Sequence, residues 1–382
     1  MQRKNSNTEV KFIDSHVHIV ETGIVKKYSL ANCKSIEEIL EKIKKDERDF
    51  VEFYQLIPYN LKEKRLPLKD EIDKVESKRP VIIVREDLHS CVINSKAEEI
   101  LKIKTKDGLL RGKDFEKVMA FLKERTDEEK IKEAIFYTAK ICKEKNVWAI
   151  SGLFSNIKEY LIFKEIEDKI DLKVTPFIQT WNIDEVLNLG LKQIGGCLLV
   201  DGSISSRTSA FKEGYRDAPG EYGILYKTEE EIYEFVKKAN DKGLRVALHA
   251  IGDRAVEVVV KAYERVGNAG NRIEHAESIT EEQLDIVAKY GIILSMQPSF
   301  CTKFKDLYIE RLGKERAMRL NPLKSAFKRG IILAFGSDSP VTDIDPEEGI
   351  RSAMNHPNEK ERLTYKEALK CFTEYGKIAN NL

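Results

Sequence analysis

Asp14-Ser-His16-Val-His18, His249, His275 and Asp338 are the residues of this chain whose types and spacing could do chemistry. A His-x-His pair in an extended segment sends both imidazoles to one face, because strand side chains alternate with a period of two. Two imidazoles on one face form a chelate for a metal ion. The later three residues end β-like runs, Leu244 to His249, Asn271 to His275 and Ile331 to Asp338, so each candidate ligand occupies the same end of its run. A histidine ending one strand is more readily a core or surface residue; this joint register is what points to a metal. His16, His18 and His249 suit Zn²⁺ or a similar divalent ion and would leave a position open for water. A bound ion would acidify that water to a pKa of about 7 and polarise a carbonyl. Asp338 would take the water's proton and return it to a leaving nitrogen. His275 would hold a second ion or stabilise the developing oxyanion.

Strand-like runs alternate with amphipathic helical stretches, which implies parallel βαβ units. The expected strands are Val10–Ile13, Val147–Ser151, Lys173–Ile178, Cys197–Val200, Arg245–His249, Arg272–His275, Ile292–Met296 and Ile331–Phe335. These make the number of an α/β (β/α)8 TIM-type barrel, whose active sites lie at the carboxyl ends of the strands. Thr228-x-x-Glu231 and Thr280-x-x-Gln283 have the form of capping boxes, and Asn321-Pro322 places a proline in a first helical turn that ends at Gly330. The stretch from Ile13 to Val147 is far longer than the roughly 30 residues of a βαβ unit. It has its own helical patterns, from Ser35 to about Gln55 and around Phe115 to Leu122, and a strand-like run, Pro80 to Arg85, that leads into His89. The division expected is a barrel of residues 9–20 and 127–382 with residues 21–126 inserted after the first strand. That insert is either a lid over the mouth, with residues 85–94 as its functional edge, or a small separate domain.

Lys and Arg number 65 against 64 Asp and Glu, a net charge of +1. No block of like charge suits a polyanion, so nucleic acid is not an expected partner. No signal-like segment or long apolar run suggests secretion or a membrane span. The six cysteines, at 33, 91, 142, 197, 301 and 371, form no Cys-x-x-Cys pair and read as reduced, mostly buried thiols of a cytoplasmic protein. In the polar loop after residue 200, Asp201 and Arg207 are candidates for substrate contact. Arg207 suits a substrate carboxylate bidentately, or equally an acid of the lid. His356 reads as a surface-loop histidine.

The chain resembles the amidohydrolase superfamily, in the branch that includes N-substituted formamide deformylases. The resemblance runs through Phe12–His18, Asp87–Ala97, Asp201–Ala210, His249–Asp253, Arg272–Ala276, Ser295–Pro298 and Gly336–Val341. It implies a (β/α)8 barrel, metal held by His16, His18, His249, His275 and Asp338, and a substrate-facing role for His89. Such members usually carry, four residues before the Asp-Gly-Ser, a carboxylated lysine that bridges two metals; here that position is Cys197. A cysteine reaches much less far, so the expectation is one ion, or a pair with a weak second site, and Cys197 is a ligand only if the backbone approaches the metal. Such members also carry an accessory β-sandwich for which this chain has little or no room. Its loss would expose apolar barrel surface and favour a homo-oligomer. The function expected is metal-dependent hydrolysis of a C–N bond, amide or formamide, in a small molecule. The alternatives are an impaired barrel that binds metal or ligand, and an esterase or lactonase on the same centre.

Overall fold

The computed structural model describes residues 10–86, 90–267 and 270–382. Its strands are β1 (Phe12–His18), β2 (Val51–Leu56), β3 (Val81–Arg85), β4 (Ser90–Ile93), β5 (Leu109–Arg111), β6 (Val147–Phe154), β7 (Lys173–Ile178), β8 (Gln193–Leu199), β9 (Arg245–Ala250), β10 (Arg272–His275), β11 (Ile293–Met296) and β12 (Leu333–Phe335). In β1 every residue from Phe12 to Val17 is buried, as befits a parallel strand covered on both faces. That burial carries the strand through Asp14-Ser15-His16, where the expected strand stopped because the apolar run stops at Ile13.

The chain forms two compact units, one of residues up to Val20 with Thr138–Leu382, the other Glu21–Tyr137. The first carries β1 and β6 to β12 in two parallel sheets, ordered β1-β6-β7 and β12-β11-β10-β9-β8. Val17 and Ser339 form a parallel bridge, and the Asp338 N–H donates to the His16 carbonyl at 2.9 Å, so the segment leaving β12 runs beside β1. Two of the helices between the later strands start where polar caps satisfy their free N–H groups. Thr228 and Thr280 form capping boxes with Glu231 and Gln283. Gly252 caps the helix Asp253–Val266 that follows β9. Pro322 precedes its helix, Leu323–Lys328, as the N-cap residue.

The second unit holds a four-stranded sheet, β2-β3-β4-β5, in which β2 and β3 are parallel and the remaining pairs antiparallel. The helix expected from Ser35 to about Gln55 ends at Lys45, and β2 occupies Val51–Leu56. Val-Glu-Phe-Tyr-Gln-Leu is rich in branched and aromatic residues and is buried on both faces, so sheet pairing prevails over a continued 3.6-residue period. Among the described residues no helix is long and apolar enough to cross a membrane. Five of the six cysteines are buried and Cys197 is half-buried. His356 is not on the surface: it is 2% exposed, its Nδ1 accepting the Asn358 N–H at 3.0 Å, because the ring closes its own loop.

Candidate metal centre

The carboxyl ends of β1, β8, β9, β10 and β12 bring together His16, His18, Cys197, His249, His275 and Asp338. Ring centroids of His16 lie 5.5 Å from His18 and 4.9 Å from His275, and those of His249 and His275 are 4.5 Å apart. Asp338 Oδ1 is 3.2 Å from Nε2 of both His16 and His18. Cys197 Sγ is 3.5 Å from His249 Nδ1. Three groups have donor atoms all within 4.8 Å of one another: His16, His18 and Cys197; Cys197, His249 and His275; His16, His275 and Asp338.

Local backbone departures make this convergence. Glu274 and His275 are consecutive, yet Glu274 Oε2 is 2.7 Å from His16 Nδ1 while the His275 ring centroid also lies 4.9 Å from that of His16. Regular alternation would send them to opposite faces. His275 instead takes φ +71°, and Asp338, past the end of β12, takes φ +55°. Such left-handed conformations cost a non-glycine residue roughly 1–2 kcal/mol each and persist only where the surroundings hold them. In β8 the partner of Gly195 in β9 is Ala247, but the next pair is Leu198 with Leu248, so Gly196 and Cys197 bow out of the ladder.

A second layer orients the donors. Glu274 accepts from Arg272 Nε at 2.9 Å and Nη2 at 3.1 Å, and holds Nδ1 of His16, leaving Nε2 to face the centre. His249 Nε2 lies 3.2 Å from the Gly202 carbonyl, which can only accept, so Nδ1 is the nitrogen turned to Cys197. Asp14 Oδ1 accepts the N–H groups of His16 at 3.1 Å and Ser337 at 2.9 Å, tying β1 to the segment that carries Asp338. Its burial, only partly offset by these bonds, pushes its pKa up to about 6. His275 has no hydrogen bond on either nitrogen. Its ring lies against Phe300 instead, 6.1 Å between centroids and 17° between planes.

These donors fit a cation. Among the described residues both nitrogens of His275 are buried without hydrogen-bond partners, which is costly unless something else binds them. Burial opposes charge on the imidazoles, but the Asp338 carboxylate outweighs it at His16, held well above the usual range, and at His18, raised to about 10. His249 is raised to about 9, burial being overcome by the Cys197 thiolate. Burial should also keep Cys197 and Asp338 neutral, yet His249 holds Cys197 far below an ordinary thiol and His16 holds Asp338 below an ordinary carboxyl. Protons thus supply the positive charge that the thiolate and carboxylate demand.

The other candidates sit differently. Asp201 is wholly buried, and its carboxylate accepts the N–H groups of Ala210, Ile251 and Gly252 at 2.8–2.9 Å. It clamps the loop after β8 to the turn after β9. Arg207 pairs with Asp217, at 3.1 Å through Nε and 2.7 Å through Nη2, so a substrate carboxylate would have to displace that acid. His89 lies outside the described residues. Sequence reasoning passed over Glu274, Phe300 and the glycines of β8, and gave Asp14 no role beyond its place in the opening motif. Arg272 and Glu274, two apart on one strand face, were a readable sign of a buried pair; the Phe300 stack, 25 positions along the chain from His275, had none.

With the geometry in place, comparison with known proteins is informative. Residues 12–382 match the family described as "Amidohydrolase family". The amidohydrolase YtcJ of Bacillus subtilis (strain 168) is 28% identical over 95% of this chain and 78% of its own length. The N-substituted formamide deformylase of Arthrobacter pascens is 26% identical over 40% of this chain and 30% of its own. A crystal structure of an uncharacterized metal-dependent hydrolase from Pyrococcus furiosus superimposes with a TM-score of 0.84 at 28% identity, covering 97% of this chain and 82% of that one.

Proposed function

The chain belongs to the amidohydrolase family, and from that premise we propose that it hydrolyses the C–N bond of an amide or formamide in a small molecule. The supporting observation is the convergence of His16, His18, Cys197, His249, His275 and Asp338 on one point at the strand ends. A closed eight-stranded barrel, in which the sheet from β8 to β12 meets the sheet from β1 to β7 on both sides, accounts for that point lying at one mouth. His16 and His18 with Asp338 would hold one divalent ion, and His249 with His275 a second. Cys197 belongs to groups on both sides, which favours two ions over the single ion expected from its short side chain. Zn²⁺ suits this mix of imidazole, carboxylate and thiolate. A bound ion supplies Lewis acidity, polarising a carbonyl and lowering the pKa of water to about 7.

The protein's own residues do the rest. Asp338, 3.2 Å from both first-strand histidines, is ionised and takes the proton from the attacking water, then delivers it to the leaving nitrogen, a role worth typically about 10²–10⁴ in rate. Glu274 keeps His16 in the tautomer that presents Nε2. Asp201 holds the loop bearing Arg207, and Arg207 would receive the remainder of the substrate by exchanging Asp217 for it; a substrate contact from His89 is what the family resemblance implies. The formamide preference draws on the N-substituted formamide deformylase of Arthrobacter pascens, which aligns with less than half of this chain.

The test is a panel of N-formyl, N-acyl and cyclic amides, with esters and lactones beside them, offered to metal-loaded protein. Turnover of amides supports the proposal, and turnover of esters alone moves the activity to an esterase. Stoichiometric metal with no turnover of either class would leave a binding barrel.

A further inference from the structure

A cysteine carries its donor closer to the backbone than histidine, aspartate, glutamate or a carboxylated lysine does, so a strand that uses one must itself come to the metal. β8 does. Between the Gly195–Ala247 and Leu198–Leu248 pairs, β9 advances one residue and β8 three. The surplus, roughly 6.6 Å of chain at roughly 3.3 Å per residue, must leave the ladder. It bows inward: a Cβ on Gly196 would lie 2.4 Å from Leu153 Cδ2 and 3.0 Å from Phe177 Cβ, both core residues against which Cys197 packs.

Only glycine permits this path. Gly195 and Gly196 take φ of +101° and +90°, outside the range of residues with a Cβ. A Cβ on Gly195 would also stand 2.1 Å from the Ala247 carbonyl oxygen. The bulge leaves Cys197 Sγ within 4.8 Å of donor atoms in two separate groups, with His16 and His18 on one side and His249 and His275 on the other. The His275 nitrogens there are buried and have no hydrogen-bond partner among the described residues.

We propose that Gly195 and Gly196 are positioning residues whose bulge carries Cys197 into the centre, so that one short thiolate is shared by two ions. This rests on the metal-dependent reading of the site. The test is titration of the metal-free full-length chain with Co²⁺, following the near-ultraviolet thiolate-to-cobalt charge-transfer band. The band is expected to grow through both equivalents and to vanish in Cys197→Ser. Gly196→Ala is expected to lose the second ion and most of the band while keeping its circular dichroism. Gly196→Ala with Cys197→Glu is expected to recover the second ion, because a longer carboxylate spans the gap left by the withdrawn strand. A band that saturates at one equivalent, survives Cys197→Ser, or is unchanged in Gly196→Ala overturns the proposal. Should Gly196→Ala fail to fold, the wild-type titration and Cys197→Ser decide alone. Wild-type protein that takes up no cobalt refutes the metal-dependent reading itself, a different result from cobalt bound without the band.

Discussion

Replacing Glu274 by Gln separates what this carboxylate does for stability from what it does for the metal centre. Arg272 and Glu274 are 1% and 0% exposed, joined at 2.9 and 3.1 Å, and burial's upward push on the Glu274 carboxyl is outweighed by the Arg272 charge. Glutamine keeps the shape and removes the charge. Arg272 retains bonds to the Ser15 carbonyl at 2.8 Å and Ser151 Oγ at 3.0 Å but loses this counter-ion. Breaking a buried pair from one side costs about 3–5 kcal/mol, a large part of a stability typically about 5–15 kcal/mol. His16 Nδ1 also exchanges its carboxylate partner for at best a neutral amide oxygen, which weakens metal binding by about 10-fold, the low end of what losing such a partner costs. Urea unfolding of metal-free protein reads the first effect, and competition with a chromophoric chelator the second. Adding Arg272→Met should restore much of the stability, since removing both charges is often near neutral, while metal affinity stays below wild type because His16 still lacks a carboxylate partner. The reasoning fails if Glu274→Gln costs under about 1 kcal/mol, if the two substitutions merely add, or if metal affinity returns with stability in the double variant.

Three further outcomes are expected. Asp338→Asn should lower kcat by about 10²–10⁴ with the circular dichroism unchanged; a loss under fivefold would remove it as the base. His18 and His249, at about 10 and 9 against 6.5 for an ordinary histidine, are raised in the folded state, so their stabilising contribution is full below pH 6.5 and lost as pH rises through 9 and 10. A metal ion displaces those protons and should therefore raise the melting temperature more at pH 10 than at pH 6.5; an equal increment at both would count against the protonated cluster. Phe300→Leu should loosen metal retention by about tenfold through the freed His275 ring, with Phe300→Tyr close to wild type, and indistinguishable metal binding in all three would show that backbone alone sets the ring.

Much of the site was legible because its donors are chemically rare and end their strands in common register: the two-residue period pairs His16 with His18, and His249, His275 and Asp338 close three later runs at the same end. The strands containing glycine or polar residues were harder. β8 begins at Gln193, four residues before its expected start, because Gly195-Gly196 reads as a break when only pairing with β9 shows it to be a bulge. The helix expected to run to Gln55 gave way to β2 for a like reason, since burial on two faces is a property of neighbours and not of the segment.

Residue types and their order along the chain thus determined the parallel α/β plan, the candidate ligands and the hydrolytic chemistry, all of which depend on local period and donor identity. Tertiary structure alone decided that Cys197 stands within reach of histidines on both sides, that Asp201 is a loop clamp, that Arg207 already has an acid partner, and that Glu274 and Phe300 stand behind the ligands. The physical reason is distance in sequence. Hydrogen bonds and ring contacts between strands depend on register, on left-handed residues such as His275 and Asp338, and on a two-residue bulge, and none of these leaves a period in the sequence to read.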